Sequence, residues 1–579
     1  MTQSRKLWKT INKLIPGKKQ CSSGPKSVLK NGVEVTDKKE MANVFNDFFA
    51  TVGSKLAETF NFNTTNHINP GVNKNLFVFS TVRLSTVQKL ISNLDNNKAT
   101  GLDEINVRAL KAGSPILSFY LTYLFNLSLT TGKVPKCWKK KRVTPVFKKG
   151  DADDVNNYRP ISILSVSMKV FEKVVHNQVY EFLKTSNILS ENQSGFRNSH
   201  STDTAVICVS DFILEELGKK KYVGAVLVDL KKAFDIVDNK ILLKKLFCHG
   251  FRDCSFDWFE SYLSDRVQCT VLEGTQSSFT DENPYGVPQG SVLGPLLFLV
   301  YINDIGKSIQ PSTFYHLYAD DTIIIQSADT PDELTLSLED QLSDLGKWFH
   351  QNKLSVNTSK TEAIFFGRPV KVQECKDNSI IRFQGEIIEY KTKVKYLGVT
   401  FDENMKWDEH AKTARQKAYL SLNKIRRVSS FLNEETKKKL VNALVMPHIT
   451  YCSNTWSTMP KADHHNFESL MNNINKLVPS FDKTFKQVSE QNKALMVFKG
   501  INKIAPDYIS KRLELVKDRH TLTRFAVDYN LTVKRSVNSF TDRTFVKSST
   551  SVWNNLPVEI KSLNSIVHFK SSLKKHIFN

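Results

Sequence analysis

Tyr318-Ala319-Asp320-Asp321-Thr322 says more than any other stretch of this chain. It lies between Phe314-Tyr315-His316-Leu317 and Ile323-Ile324-Ile325, two runs of aromatic and β-branched residues with the composition of strands. This pattern predicts a hairpin that presents two adjacent carboxylates at its tip. Neighbouring aspartates repel and are costly to keep ionised together unless a cation lies between them. A hard cation such as Mg²⁺ is held by one or two protein carboxylates plus substrate phosphates, so the chemistry suggested is phosphoryl or nucleotidyl transfer. An Asp-Asp pair also caps helices and fills turns, and alone it decides nothing.

Two further segments sharpen the reading. Ala225-Val226-Leu227-Val228 is an apolar run that ends in Asp229, after which the chain turns polar and helix-prone. Asp229 reads either as a functional carboxylate at the end of a buried strand or as a helix cap. Phe234 follows five residues on and, taken alone, is a core residue. The other segment is Gly286-Val287-Pro288-Gln289-Gly290-Ser291-Val292-Leu293-Gly294-Pro295, a loop expected to open an apolar helix running to about Asp304. Glycine lets a backbone approach a ligand closely, although a tight buried loop has the same composition.

In that order these segments resemble the palm of reverse transcriptases, and in detail the catalytic blocks of non-LTR (LINE-type, jockey-like) retrotransposon enzymes. Upstream, Lys98-Ala99-Thr100-Gly101-Leu102-Asp103, Asn157-Tyr158-Arg159-Pro160-Ile161-Ser162 and Gln193-Ser194-Gly195-Phe196-Arg197 are similar to that group's lead-in and finger motifs. Downstream, Asn352-Lys353-Leu354 with Asn357, Lys360 and Thr361 resembles its next palm block. Tyr396-Leu397-Gly398-Val399 resembles the segment that grips the primer. Pro447-His448-Ile449-Thr450-Tyr451 with Trp456, and Trp553-Asn554-Asn555-Leu556-Pro557, are similar to its later signatures.

The resemblance implies an α/β (α+β) right-hand polymerase. Fingers and a palm, with an antiparallel sheet backed by helices, would be followed by a helical thumb and a mixed C-terminal region. The expected divisions are a leader and helical segment over 1–80, a helical lead-in over 81–130, and fingers and palm over 131–402. A thumb over 403–480 and a basic region over 481–579 follow. The implied reaction is RNA-directed DNA synthesis with two Mg²⁺ ions, Mn²⁺ being able to substitute, on an RNA template, a DNA primer and dNTP. Asp229, Asp320 and Asp321 are the implied catalytic and metal-binding residues, joined at the metal by Leu230. Phe234 resembles the gate that excludes a ribose 2′-hydroxyl. Gln289, Arg159, Lys169, Arg197 and Lys360 are implied nucleotide ligands. Gly286, Pro288, Gly290, Tyr396, Leu397 and Gly398 are implied template-primer contacts. Asp235 and Asp238 are read as structural.

Charge supports a polyanionic partner. The chain carries 81 Lys and Arg against 58 Asp and Glu, a net +23. Residues 403–579 hold 30 basic and 15 acidic residues, and residues 1–402 hold 51 and 43, so the excess concentrates after the palm. A basic surface is the footprint of a phosphate-backbone binder. Lys139-Lys140-Lys141-Arg142 reads as a nuclear signal, a solvated strand edge or a template-facing surface. The eight cysteines are scattered singly with no CxxC, which argues for a reducing compartment and against a zinc knuckle. With no secretory signal and no apolar run of membrane-spanning length, the expectation is a protein off the membrane, in the nucleus or a cytoplasmic ribonucleoprotein. Nothing before residue 40 has room for an endonuclease and no ribonuclease H pattern follows the palm. The chain therefore reads as the polymerase part of a larger product or as a degraded copy. Two rival readings remain: a catalytically silent nucleic-acid-binding relic, and an RNA-templated RNA polymerase, which Phe234 opposes.

Within the palm, Thr330-Pro331-Asp332-Glu333 predicts a helix start with a capping box, and Leu334, Leu338, Leu342, Leu345 and Phe349 mark its core face. Ala411, Ala414, Ala418, Leu422 and Ile425 predict another helix, bearing Lys412, Arg415, Lys424 and Arg427. Residues 1–40 read as a loose leader, 41–60 as a helix and 61–80 as a linker.

Overall fold

The computed structural model describes residues 24–58, 73–516, 529–533 and 538–578. They fall into two compact units that interleave along the chain. The first comprises the described parts of Met1–Ser190, Leu230–Ser308 and Asp344–Val356; the second those of Glu191–Asp229, Ile309–Ser343 and Asn357–Asn579.

Along the chain, hairpin β1 (Val28–Lys30) and β2 (Val33–Val35) precedes helix α1 (Lys38–Ala57). The leader reading fails over this hairpin, because Val28 and Val35 are buried against Met41 and Phe45 of α1. Residues 59–72 of the expected linker lie outside the described residues. Phe77 is buried and bridges to Phe251, so that end of the linker is docked. Helices α2 (Leu84–Ser92), α3 (Val107–Ala112) and α4 (Ser114–Thr131) lead to strands β3 (Lys140–Phe147) and β4 (Tyr158–Ile163). Helices α5 (Val166–Thr185) and α6 (Thr202–Gly218) precede β5 (Tyr222–Val228). Then come α7 (Asn239–Cys248), α8 (Asp253–Leu263), β6 (Val267–Leu272), β7 (Thr275–Gln276), β8 (Thr280–Asp281) and α9 (Gly294–Ile302). Next follow β9 (Phe314–Tyr318), β10 (Asp321–Ala328), α10 (Pro331–Gln351) and β11 (Glu362–Phe366).

In the first unit, β3 pairs with β4 on one side and with β6 on the other, and β7 and β8 extend from β6. Lys139 is buried; Lys140 and Lys141 pair with β6 alone, an open strand side as the edge reading expects, whereas Arg142 pairs with both β4 and β6. In the second unit, four strands run in the order β11-β5-β10-β9, all antiparallel. β5 is inner, and its Val223, Ala225, Val226 and Val228 are buried. Gly224 lies against Leu338 of α10; a Cβ there would stand 3.0 Å from the leucine Cδ1. Leu334, Leu338, Leu342, Leu345 and Phe349 are buried, as their spacing predicts, and Glu333 N–H donates to the Thr330 hydroxyl at the helix start. The outer edges of this sheet are met by irregular chain. Ser194 N–H donates to Leu317 O and Leu317 N–H to Asn192 O along β9; Ala363 of β11 exchanges bonds with Glu389 and Lys391.

After β11 the described chain is mostly helical. α11 (Asp408–Arg427) buries Ala411, Ala414, Ala418, Leu422 and Ile425 and leaves Lys412, Lys424 and Arg427 exposed. The C-terminal helices share a core with α6: Ile207 lies in one cluster with Phe498, Trp553 and Phe569. Among the described residues no helix is long and apolar enough to cross a membrane.

Candidate active site

Asp229 follows the last residue of β5, and its surroundings fix its carboxylate. Asn357 donates its backbone N–H to Asp229 O (2.8 Å) and its side-chain amide to Asp229 Oδ2 (2.9 Å). Asp229 N–H reaches Thr361 Oγ1 at 3.3 Å. The register sets Thr322 opposite Val228, so Asp229 and Asp321 stand at facing ends of β5 and β10. Ala319 and Asp320 form the two-residue turn between β9 and β10, with Tyr318 paired to Asp321. The hairpin and its carboxylate tip are therefore as the sequence predicts. Asp229 is no helix cap. The chain beyond it forms turns rather than the expected helix, and α7 begins only at Asn239, capped by Asp238 Oδ1.

Arg197, Lys360, Tyr396, Leu397 and Gly398 lie in the same unit as the three aspartates. Arg197 donates to Gln193 O, and Lys360 is exposed in a short turn beside Asn357. Tyr396 is buried, and its hydroxyl is held far above its ordinary pKa by burial, with Asp321 among the charges acting on it. Its ring is thus interior, whereas Gly398 is exposed. Leu397 and Gly398 make a tight turn at positive φ, held by Tyr451, whose hydroxyl donates to Leu397 O (2.6 Å).

Leu230, Phe234, Gly286, Pro288, Gln289, Gly290, Arg159 and Lys169 belong to the other unit. Leu230 is buried and bridges to Val356. Phe234 stacks on Phe298 with ring centroids 4.4 Å apart, and its carbonyl accepts from Val287 N–H (2.9 Å). Gln289 donates its amide to Asp235 Oδ1 (2.8 Å), so the Asp235 carboxylate aims Gln289. Burial raises the Asp235 pKa, opposed by that hydrogen bond. Gly290, at φ 107°, sits against β4, where a Cβ would come within 2.6 Å of Ser162 O; Gln289 O accepts from Ser162 N–H. The loop's exit is pinned by buried Glu172, which accepts from Val292 N–H (2.6 Å) and the Tyr262 hydroxyl (2.7 Å). Arg159 is exposed on β4. Lys169 has a pKa lowered by burial, offset in part by Glu172.

Asn357, Gln193 and Tyr451 stand inside motifs that the sequence singles out, but their roles are not readable there. Their signal is three-dimensional: each bonds to a backbone or carboxylate far away in the chain.

Among the described residues no three His, Cys, Asp or Glu groups stand close enough to enclose one ion. The donor set is two facing carboxylates and a third on the adjoining turn. All are hard oxygens, which suit ions that leave most of their shell to water and substrate phosphate.

The site is thus an antiparallel sheet carrying a strand-end aspartate opposite an Asp-Asp turn. Residues 146–401 match the family described as "Reverse transcriptase (RNA-dependent DNA polymerase)". Reverse transcriptases as a family use divalent metal ions. The chain is similar to "Probable RNA-directed DNA polymerase from transposon BS" of Drosophila melanogaster, 29% identical over 68% of this chain and 44% of that protein. It is likewise similar to "RNA-directed DNA polymerase from mobile element jockey" of the same species, 28% identical over 58% of this chain and 37% of that protein. A third relative is "Putative 115 kDa protein in type-1 retrotransposable element R1DM", 26% identical over 78% of this chain and 42% of that protein. The LINE-type resemblance read from the sequence is thus supported. The chain spans less than half the length of each of these curated relatives.

Proposed function

We propose that this protein is an RNA-directed DNA polymerase that joins a primer 3′-hydroxyl to the α-phosphate of a dNTP on an RNA template. The observation that carries this reading is the facing of Asp229 and Asp321 across paired strands, within a segment of the reverse transcriptase family. Asp229, Asp320 and Asp321 would hold two Mg²⁺ ions, or Mn²⁺ in their place, with Leu230 contributing its carbonyl. Bound ions of this kind lower a hydroxyl pKa and neutralise a leaving pyrophosphate. Asn357 keeps the Asp229 carboxylate turned to one side. Phe234, stiffened by Phe298, is the ring that excludes a 2′-hydroxyl. Gln289, aimed by Asp235, contacts the nascent pair, with Gly286, Pro288 and Gly290 allowing close backbone approach. Arg159, Lys169 and Arg197 are the triphosphate ligands, since a multiply charged anion needs Arg or Lys partners. Lys360 protonates the departing pyrophosphate. The Tyr396-Leu397-Gly398 turn touches the primer through Leu397 and Gly398.

In the same reading 131–402 are fingers and palm, 403–480 a thumb and 481–579 a basic region that follows nucleic acid. The protein works in the nucleus or in a cytoplasmic ribonucleoprotein. Primer extension with Mg²⁺ on an RNA template, dNTPs and rNTPs offered separately, tests this. Extension with dNTPs alone is expected. Extension with rNTPs instead would mean an RNA polymerase, and template binding without extension a silent relic; either would overturn the reading.

A further inference from the structure

The catalytic turn is not self-supporting. Ala319, its first residue, has φ 56°. An L-residue in the left-handed region costs about 1–2 kcal/mol and persists only where its surroundings enforce it. Against Ala319 stands the buried side chain of Gln193, 3% exposed. Its Oε1 accepts from Ala319 N–H (2.9 Å) and from Gly195 N–H (2.7 Å), and its Nε2 donates to Ala319 O (3.3 Å). Residues 192–194 already run beside β9 as a parallel bridge, Gln193 opposite Leu317. The Gln193 amide thus continues that pairing past the end of the strand, standing in for a peptide group. Gly195 closes the arrangement, because a Cβ there would lie 2.2 Å from Ala319 N.

The Ala319 carbonyl belongs to the peptide plane that also contains the Asp320 nitrogen and Cα. Fixing that plane fixes the N–Cα bond of Asp320, the axis about which its side chain is set. We propose that Gln193 is the positioning residue of the catalytic turn, holding the Ala319–Asp320 peptide so that Asp320 meets the metal in one orientation. This rests on the polymerase reading. Two features keep the brace neutral. An amide carries no charge beside two carboxylates, and the neighbouring His316, bonded to Ser194 Oγ (2.9 Å), is held by burial at a pKa of about 3. Ser194 Oγ also meets the Tyr508 hydroxyl (2.9 Å), itself bonded to Thr204, which anchors the 192–195 segment from behind.

The chemistry demands glutamine. Glutamate has the same reach and accepts as well, but it cannot donate to Ala319 O and it adds a third negative charge. The experiment compares the full chain with Gln193→Ala and Gln193→Glu in three assays. These are single-turnover primer extension against MgCl₂ concentration, Mn²⁺ binding followed by the resonance of the free ion, and amide hydrogen exchange over 314–322. Expected are a fall of about 10- to 100-fold in the extension rate, as for a small misplacement of a reacting group, with template-primer Kd unchanged. A higher Mg²⁺ requirement, weaker Mn²⁺ binding and faster exchange confined to the turn should accompany it. Glu should be worse than Ala in rate while retaining most of the exchange protection. Unchanged exchange at the turn and unchanged Mn²⁺ affinity in both variants would overturn the proposal. So would a general loss of protection with equal loss of template binding, the mark of a merely structural residue. A wild-type chain that extends nothing would sink the polymerase reading alone, and the exchange and Mn²⁺ assays would still decide the role of Gln193.

Discussion

The loop Gly286–Gly290 and the turn Tyr318–Asp321 each depend on a glutamine, used in opposite ways. In the loop, Gln289 is the side chain being held: Asp235 takes its amide, while the backbone is fixed by Phe234, Val237 and Ser162. In the turn, Gln193 does the holding, and the backbone of Ala319 is what it fixes. The loop uses glycines where no side chain fits, and its anchor is a titratable carboxylate. The turn uses an alanine at strained φ, and its anchor is an uncharged amide. Crowded backbone gives a loop that resists substitution, and a single side-chain brace gives a turn that can be loosened without being broken. Five substitutions, and a set of charge removals, would break or sharpen that contrast.

The largest effect is expected at the turn's own product, the aimed carboxylate. Asp320→Asn is isosteric and removes the charge that holds the ion. Primer extension should fall by about a thousandfold or more, the several kcal/mol that metal stabilisation supplies, with template-primer affinity nearly unchanged. Full activity would remove Asp320 from the metal site.

Next comes Phe234→Ala, beside the loop. Loss of the ring should lower dNTP over rNTP selectivity by about 10- to 100-fold, the scale of shape discrimination in a pocket. Because Phe234 also stacks on Phe298, some loss of melting temperature should accompany it. A stability loss with selectivity intact would make Phe234 packing only.

The two backbones can be compared directly. Gly290→Ala places a Cβ 2.6 Å from Ser162 O at φ 107° and should cost about 1–3 kcal/mol of stability. Ala319→Gly removes a strained φ at the cost of a more flexible unfolded chain, so its net change should stay within about 1 kcal/mol. Denaturant unfolding of both variants measures this. Equal costs would erase the distinction between crowded loop and braced turn.

The exposed bases of α11 give a smaller, graded effect. Deleting 403–579 is no clean test, since Phe498, Trp553 and Phe569 share a core with Ile207, and Asp211 caps Phe545 N–H at 2.7 Å. Lys412→Gln, Lys424→Gln and Arg427→Gln leave that core intact. Removing one base that neutralises a phosphate should flatten the plot of log affinity against log salt by about 0.9 for duplex DNA, with the same trend for a hybrid. An unchanged slope would put α11 away from nucleic acid.

The smallest effect is the pH signature of the loop's anchor. Burial raises the Asp235 pKa, so the folded protein binds that proton more tightly than the unfolded chain. Ionised Asp235 therefore costs stability, and the cost grows as pH rises from the ordinary carboxylate range through the raised value. Asp235→Asn should melt slightly higher than wild type at neutral pH, with the difference vanishing in acid. Gln193, braced without a charge, should give variants with no such window.

Much of this site was legible because it is local. The alternation around Tyr318–Thr322, the apolar run before Asp229 and the cap at Thr330 carry their structure in a few adjacent residues. The glycines of the loop also announce themselves, since positive φ and close approach leave few alternatives. What stayed hidden is long-range. Gln193 and Ala319 are 126 residues apart, and Asn357 and Asp229 are 128 apart, so no periodicity joins them. The basic run Lys139–Arg142 was legible only in part: Lys140 and Lys141 pair on one side of β3, as charge suggests, but Lys139 is buried and Arg142 pairs on both sides. The helix expected after Asp229 failed because Lys232, at φ 48°, bends the chain into turns before Asp238 can cap a helix.

The chain that runs beside β9 has a second consequence. A strand end with unpaired amides and carbonyls is a template on which other chains add, and natural sheets cover or charge such edges. β9 reads Phe-Tyr-His-Leu-Tyr, apolar and uncharged at neutral pH, and residues 192–194 occupy its outer side. The segment that carries Gln193 is therefore also a guard against self-association: a lesion that frees it would leave a sticky strand in the open, and the protein would be lost to aggregates before its chemistry could be measured.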